Sequence, residues 1–169
     1  MVFLCVSNHP SNILMTNFLG ECEVAVDAKG RLMLPARLEK QIPEGLREKF
    51  VINRGFEKCI NVYTMDVWNV IHDKVSKLND FKEDVRRFKR LFLNGATMVE
   101  LDSAGRMLVP KPLLEYAGIT KEAVLTAQGN KMELWDKDSY YAYLRHNSEN
   151  FGDLANSVAA DLGNPFDGM

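Results

Sequence analysis

Several things are scarce in this chain of 169 residues, and each scarcity excludes a class of protein. There are only three cysteines, Cys5, Cys22 and Cys59, odd in number, far apart and without a Cys-x-x-Cys pair. A disulfide framework or a zinc knuckle needs paired or clustered ligands, so these residues read as reduced thiols of a cytosolic protein. The three histidines, His9, His72 and His146, are equally scattered, and no metal site is expected. No apolar run approaches the roughly 20 residues that span a bilayer, so no membrane partner is expected. Neither Gly-x-x-x-x-Gly-Lys nor Gly-x-Gly-x-x-Gly occurs, and no Ser/His/Asp arrangement is visible. The sequence therefore predicts no catalytic residue, no cofactor and no small-molecule substrate. Positive charge is not in excess either: 21 Lys+Arg stand against 23 Asp+Glu, for a net charge of −2. That excludes a protein coated in basic charge that binds nucleic acid indiscriminately.

What is present is ordinary in bulk and uneven in distribution. The chain is 46% hydrophobic and 26% charged, as in soluble globular proteins. After Arg145 there is no Lys or Arg, only Glu149, Asp153, Asp161 and Asp167. Residues 1–145 are thereby left slightly basic. The Asn, Gly and Pro content of residues 146–169 predicts an acidic C-terminal tail, with at most a short helix near Asp153–Asp161. At the other end, residues 1–14 read as an N-terminal extension, disordered or not native, and Met15 opens a more regular pattern.

The most informative feature is an internal repeat. Val24-Ala-Val-Asp-Ala-Lys-Gly-Arg-Leu-Met-Leu-Pro35 returns as Val99-Glu-Leu-Asp-Ser-Ala-Gly-Arg-Met-Leu-Val-Pro110, at an offset of 75 residues. Ile60-Asn-Val-Tyr63 is echoed by Met132-Glu-Leu-Trp135 at an offset of 72. Each copy predicts a strand (Glu21–Val26, Thr97–Leu101), a tight Asp-x-x-Gly turn and a second strand (Arg31–Leu34, Arg106–Val109). Pro35 and Pro110 then suit the start of short helices, Ala36–Gln41 and Lys111–Ala117. A second hairpin follows in each copy, Phe50–Asn53 with Ile60–Tyr63 and Ala123–Ala127 with Lys131–Trp135. Between the copies, Asp66–Leu78 and Phe81–Leu93 carry apolar residues at helical spacing. The cluster Arg86, Arg87, Lys89 and Arg90 reads as a solvated face, with a nucleic-acid surface as the alternative.

One copy of about 45 residues is too small to bury a sufficient core alone, whereas two can interleave and remove exposed sheet edges. The expected fold is mostly β with α insertions. The two units are expected to form one pseudo-symmetric β-barrel with a helical segment between them. The expected limits are 18–64 for the first repeat, 65–94 for the helical insert and 95–145 for the second repeat.

Two Asp-x-x-x-Arg motifs in a duplicated hairpin unit, Asp27–Arg31 and Asp102–Arg106, resemble the AbrB/MazE-like swapped-hairpin family. Phe18-Leu-Gly-Glu, Arg90-Leu-Phe-Leu-Asn-Gly-Ala and Glu133-Leu-Trp-Asp extend the likeness to about Met15–Arg145. The tandem arrangement is similar to the regulators at the head of the bacterial division and cell-wall gene cluster. The resemblance implies a cytoplasmic, nucleoid-associated transcriptional regulator. It would bind double-stranded DNA at operator boxes repeated upstream of its own operon, as a ring-shaped homo-oligomer. The alternative within the resemblance is an antitoxin-like module that binds operator DNA and a toxin.

The residues agree with the first reading. Arg31 and Arg106 carry rigid forks that suit a phosphate or the O6/N7 edge of guanine. Lys29 adds a phosphate-seeking charge, and Arg37, Lys40 and Lys111 extend a basic strip. Asp27 and Asp102 are expected to support the turns and orient the arginines, with Gly30 and Gly105 supplying the backbone freedom. The competing reading of each Asp–Arg pair is an internal salt bridge. The second turn has Ala104 where the first has Lys29, so the N-terminal turn is expected to read DNA and the C-terminal one to be partly structural.

Overall fold

The computed structural model describes residues 16–162. The expectations for residues 1–14 and for Met15 as a start lie outside the described residues. The first copy runs β1 (Glu21–Ala25), β2 (Arg31–Met33), α1 (Ala36–Glu39), β3 (Lys49–Arg54), β4 (Ile60–Thr64), α2 (Met65–Ser76) and α3 (Glu83–Phe92). The second repeats that order as β5 (Thr97–Glu100), β6 (Arg106–Leu108), α4 (Lys111–Ala117), β7 (Glu122–Gln128), β8 (Lys131–Asp136), α5 (Lys137–Ser148) and α6 (Phe151–Leu162). Helices α5 and α6 thus follow the second hairpin as α2 and α3 follow the first. Helix α6 is longer than the short stretch expected, because residues 153–162 contain neither Gly nor Pro to interrupt it.

The copies exchange strands. β1 pairs antiparallel with β7 of the second copy, and β5 with β3 of the first. The six-stranded order β1-β7-β8-β4-β3-β5 reads the same when the two copies are interchanged, which places a pseudo-two-fold between β4 and β8. β2 and β6 form a separate two-stranded ribbon, with Leu32 opposite Met107 at its centre.

The expected barrel is not closed by continuous ladders. β1 and β5 are edges of the six-stranded sheet, and single bridges, Val26 with Leu32 and Leu101 with Met107, connect towards the ribbon. The ribbon strands are too short to do more. Each begins at a four-residue turn and meets a proline two residues after it ends, and proline has no N–H to extend a ladder.

The core lies between ribbon and sheet. Leu32 and Met107 point in from the ribbon, joined by Leu38, Leu113, Phe50, Ile52, Leu125 and Leu134. Burying each such side chain contributes about 1.5–3 kcal/mol. Two smaller clusters sit on the far side of the sheet. Val51, Tyr63, Val67, Trp68 and Phe92 gather under α2 and α3, and Cys59, Val124, Trp135 and Tyr140 under α5. The aromatic residues Tyr63, Trp68 and Trp135 are therefore packing groups. Cys59 is free and buried, and burial pushes its thiol up to about 12.

Candidate nucleic-acid interface

Both turns are built by the same hydrogen bonds. Asp27 N–H donates to Arg31 O at 2.9 Å and Gly30 N–H to Asp27 O at 2.9 Å. The Asp27 carboxylate accepts from the N–H groups of Lys29 at 3.0 Å and Arg31 at 2.9 Å through Oδ1. Its Oδ2 accepts from Arg31 Nε at 2.7 Å. In the second turn Asp102 accepts from the N–H groups of Ala104 and Arg106 at 2.9 Å each, and from Arg106 Nε at 2.8 Å. The N–H of the arginine, then its guanidinium, holds each carboxyl below the usual carboxylate range. Each aspartate is thus ionised at neutral pH and orients its arginine through Nε, which leaves the terminal amino groups of the fork for another acceptor.

The ribbon puts both arginines on one face. Its strands pair Arg31 with Leu108 and Met33 with Arg106. Leu32 and Met107 are buried, so strand alternation sends Arg31, Met33, Arg106 and Leu108 to the opposite side. Arg31 and Arg106 are diagonal neighbours there, a placement that corresponds to roughly 7–8 Å between backbones. The exposed side chains Met33 and Leu108 hold the other two corners of the same patch. Sequence reasoning missed these two apolar residues. Alternation within β2 carries a signal for Met33, but only the pairing across copies brings Leu108 beside it.

The remaining basic residues are spread more widely. Lys29 is exposed at the tip of the first turn. Arg37 is exposed on α1 and Lys40 is exposed just after its last residue, and the Arg37 guanidinium lies against Gly20. Lys111 is exposed at the start of α4, 3.8 Å from Glu115. The structure therefore joins Asp27, Lys29, Gly30 and Arg31 to Asp102, Gly105 and Arg106 through the ribbon, with Arg37 and Lys111 on the flanking helices and Lys40 at the end of the first.

Residues 17–91 and 92–160 each match the family described as "MraZ protein, putative antitoxin-like". The chain belongs to the MraZ family. It is similar to the transcriptional regulator MraZ of Christiangramia forsetii, 45% identical over 92% of this chain and 99% of that protein. It is similar also to those of Cytophaga hutchinsonii, 42% identical over 85% of this chain and 95% of the other, and Flavobacterium psychrophilum, 39% identical over 88% and 95%. The MraZ family is one of transcriptional regulators and not of enzymes.

The two MraZ units are alike in hydrogen bonding but not in packing. Gly30 has φ +84°, and a Cβ placed on it would come within 2.9 Å of Val109 O. Gly105 has φ +79°, but its nearest neighbour would be the flexible Met33 Sδ at 3.6 Å. Gly30→Ala is therefore expected to lower stability by about 1–3 kcal/mol, more than Gly105→Ala, because it adds a backbone clash to the shared left-handed strain. Thermal melts of the two variants check this, and equal losses would remove the packing argument.

One group of metal-ligating type occurs among the described residues: Glu57, Cys59 and Glu133, whose donor atoms lie within 4.8 Å of one another. It does not fit a metal. Glu133 accepts from Lys131 Nζ at 2.6 Å and Trp135 Nε1 at 3.0 Å, so both its oxygens are engaged. The Cys59 thiol is neutral at physiological pH. Among the described residues no helix is long and apolar enough to cross a membrane.

Proposed function

We propose that this chain is a cytoplasmic, nucleoid-associated transcriptional regulator that binds double-stranded DNA sequence-specifically. In this reading it acts on operator boxes repeated upstream of its own division and cell-wall operon, as a ring-shaped homo-oligomer. The observation that carries the reading is the outward face of the β2–β6 ribbon, where two arginine forks are each held at Nε by an ionised aspartate. The major groove of B-DNA admits a two-stranded ribbon, and a fork fixed at Nε still offers two donors to the O6/N7 edge of guanine. The names of the relatives support the same reading. Lys29, Arg37, Lys40 and Lys111 serve as phosphate contacts that set register. With equal turn geometry in both units, the asymmetry between them rests on Lys29 against Ala104.

A shift assay with the DNA upstream of the chain's own gene tests this reading, with a shuffled duplex as control. Specific retardation is expected, with affinity falling about 10³–10⁵-fold between 50 and 200 mM salt if 6–10 phosphates are contacted. A salt-independent shift, or equal retardation of the shuffled duplex, would falsify the assignment. Stoichiometric capture of a toxin without operator binding would favour the antitoxin-like alternative.

A further inference from the structure

The repeat breaks at one turn, and the break builds a groove. In the second copy Gly129 and Asn130 alone join β7 to β8, whereas residues 55–59 join β3 to β4. The longer turn is where the offset between the copies falls from 75 to 72. It carries Phe56, exposed to 82%, with its ring centroid 6.4 Å from those of Phe88 and Phe92 on α3. Tyr116 of α4 ties the turn down, its hydroxyl donating to Gly55 O at 2.8 Å and Glu57 O at 3.2 Å. With Leu91, exposed to 63%, these rings line a groove of about 220 Å³. An apolar cavity of about 150 Å³ holds benzene, so this groove has room for one ring and a short tether.

The charge at the groove is positive and unspent. Arg54 lines it and is half-buried. Its guanidinium lies against Gly95, where a Cβ would come within 2.2 Å of Nη1. Nη1 donates to Leu91 O in a long bond of 3.5 Å, which leaves most donors of the fork unused. Arg54 and Lys58 lie over the Tyr116 ring, 5.8 and 4.7 Å from its centroid. Among the described residues neither forms an ion pair. Glu57, the acid beside Lys58 in sequence, lines a different cavity with Glu133 and Trp135. An unpaired fork beside an apolar slot is matched by a planar carboxylate on an apolar body.

The structure assigns this groove to a free small-molecule aryl carboxylate, its ring against Phe56 and Phe88 and its carboxylate on the Arg54 fork. The dimensions favour a small molecule, since a protein partner needs more surface than a slot for one ring supplies. The site shares no residue with the DNA-reading ribbon, and the inference stands apart from that reading.

Isothermal titration calorimetry of the full chain with 3-phenylpropanoate tests it, with 3-phenylpropanamide as the neutral counterpart. A ligand of this size is expected to bind at about 1 mM or tighter. The amide is expected to bind about tenfold more weakly, having lost its charge-assisted bonds. Trp68 stacks on Phe92 of the groove at 5.8 Å, so its fluorescence gives a second signal. Arg54→Gln should erase the preference for acid over amide and leave amide binding unchanged. Phe56→Ser, at an exposed position, should weaken both ligands severalfold and keep the preference. No binding of the acid up to about 10 mM, ten times the expected value, overturns the assignment. So does equal affinity for acid and amide in the wild-type chain, a comparison that decides even if Arg54→Gln impairs folding. A preference that survives in folded Arg54→Gln overturns it too. A short peptide ending in phenylalanine that binds more than tenfold tighter than the free acid overturns it in favour of a protein partner. Binding that emerges only on dilution of the protein overturns it in favour of a second copy as the occupant.

Discussion

Arg31→Ala is expected to abolish operator binding and leave the protein folded. A bidentate contact between an arginine fork and guanine contributes about 1–3 kcal/mol of discrimination. In an oligomer the loss recurs at every copy engaged with DNA, so the combined effect exceeds the range of a shift assay. Stability should hardly move. The Arg31–Asp27 pair is at the surface, with side chains 28% and 37% exposed, and exposed pairs contribute little. The turn keeps the bonds from the N–H groups of Lys29 and Arg31 to Asp27 Oδ1. Arg106→Ala should weaken binding less, since Ala104 supplies no neighbouring charge. Arg31→Lys separates the two targets of the fork. It retains phosphate attraction but cannot form the planar two-donor contact, so it restores non-specific binding without operator preference. Unchanged operator affinity in Arg31→Ala would remove the site assignment, and a larger loss from Arg106→Ala would reverse the proposed asymmetry.

Much of the fold was legible because its punctuation is local. Asp, Gly, Arg and Pro at matching places in two segments specify a turn, a short strand and a helix start without reference to the rest of the chain. The elements accordingly lie within a few residues of expectation: α4 spans Lys111–Ala117 as read, while α1 stops at Glu39 and not Gln41. The hairpins β3–β4 and β7–β8 were legible, and so was the interleaving of the copies, but the particular partners of β1, β2, β5 and β6 were not. Nothing in Glu21–Ala25 specifies β7 over β2, because the alternation that buries one face is satisfied by either neighbour. In the exchanged arrangement Leu32 and Met107 also meet in the core.

The site divides the same way. The roles of Asp27 and Arg31 follow from four-residue spacing, so their mutual bond is a local matter. The shared face of Arg31, Met33, Arg106 and Leu108 depends on a pairing between residues 75 apart in the repeat. So does the difference between Gly30 and Gly105, which arises from the approach of Val109 O. The weak net charge was the least informative clue. It averages an acidic C-terminal segment with a ribbon whose outward face carries arginine at two diagonal corners.

An operator cut to a single box is expected to lose about 10²–10⁴-fold in affinity relative to one with several. Each copy presents one ribbon with two forks, and a single ribbon buries too few contacts for tight binding by itself. Once one copy of an assembled ring is seated, the next meets its box at an effective concentration in the millimolar range, and the second contact forms without a new loss of translational freedom. The gain depends on geometry as well as number. Ribbons on one rim of a ring reach boxes that face the same side of the duplex, so box spacing must match the helical repeat of roughly 10–10.5 bp. Inserting about 5 bp, half a turn on that repeat, between two boxes should therefore cost nearly as much as deleting one of them. Inserting about 10 bp should restore part of the loss. Titrations of the four duplexes at one salt concentration measure this directly. Equal affinity for one box and several would show that each ribbon binds alone, and the multivalent mechanism would then be wrong even if Arg31 remains the reading residue.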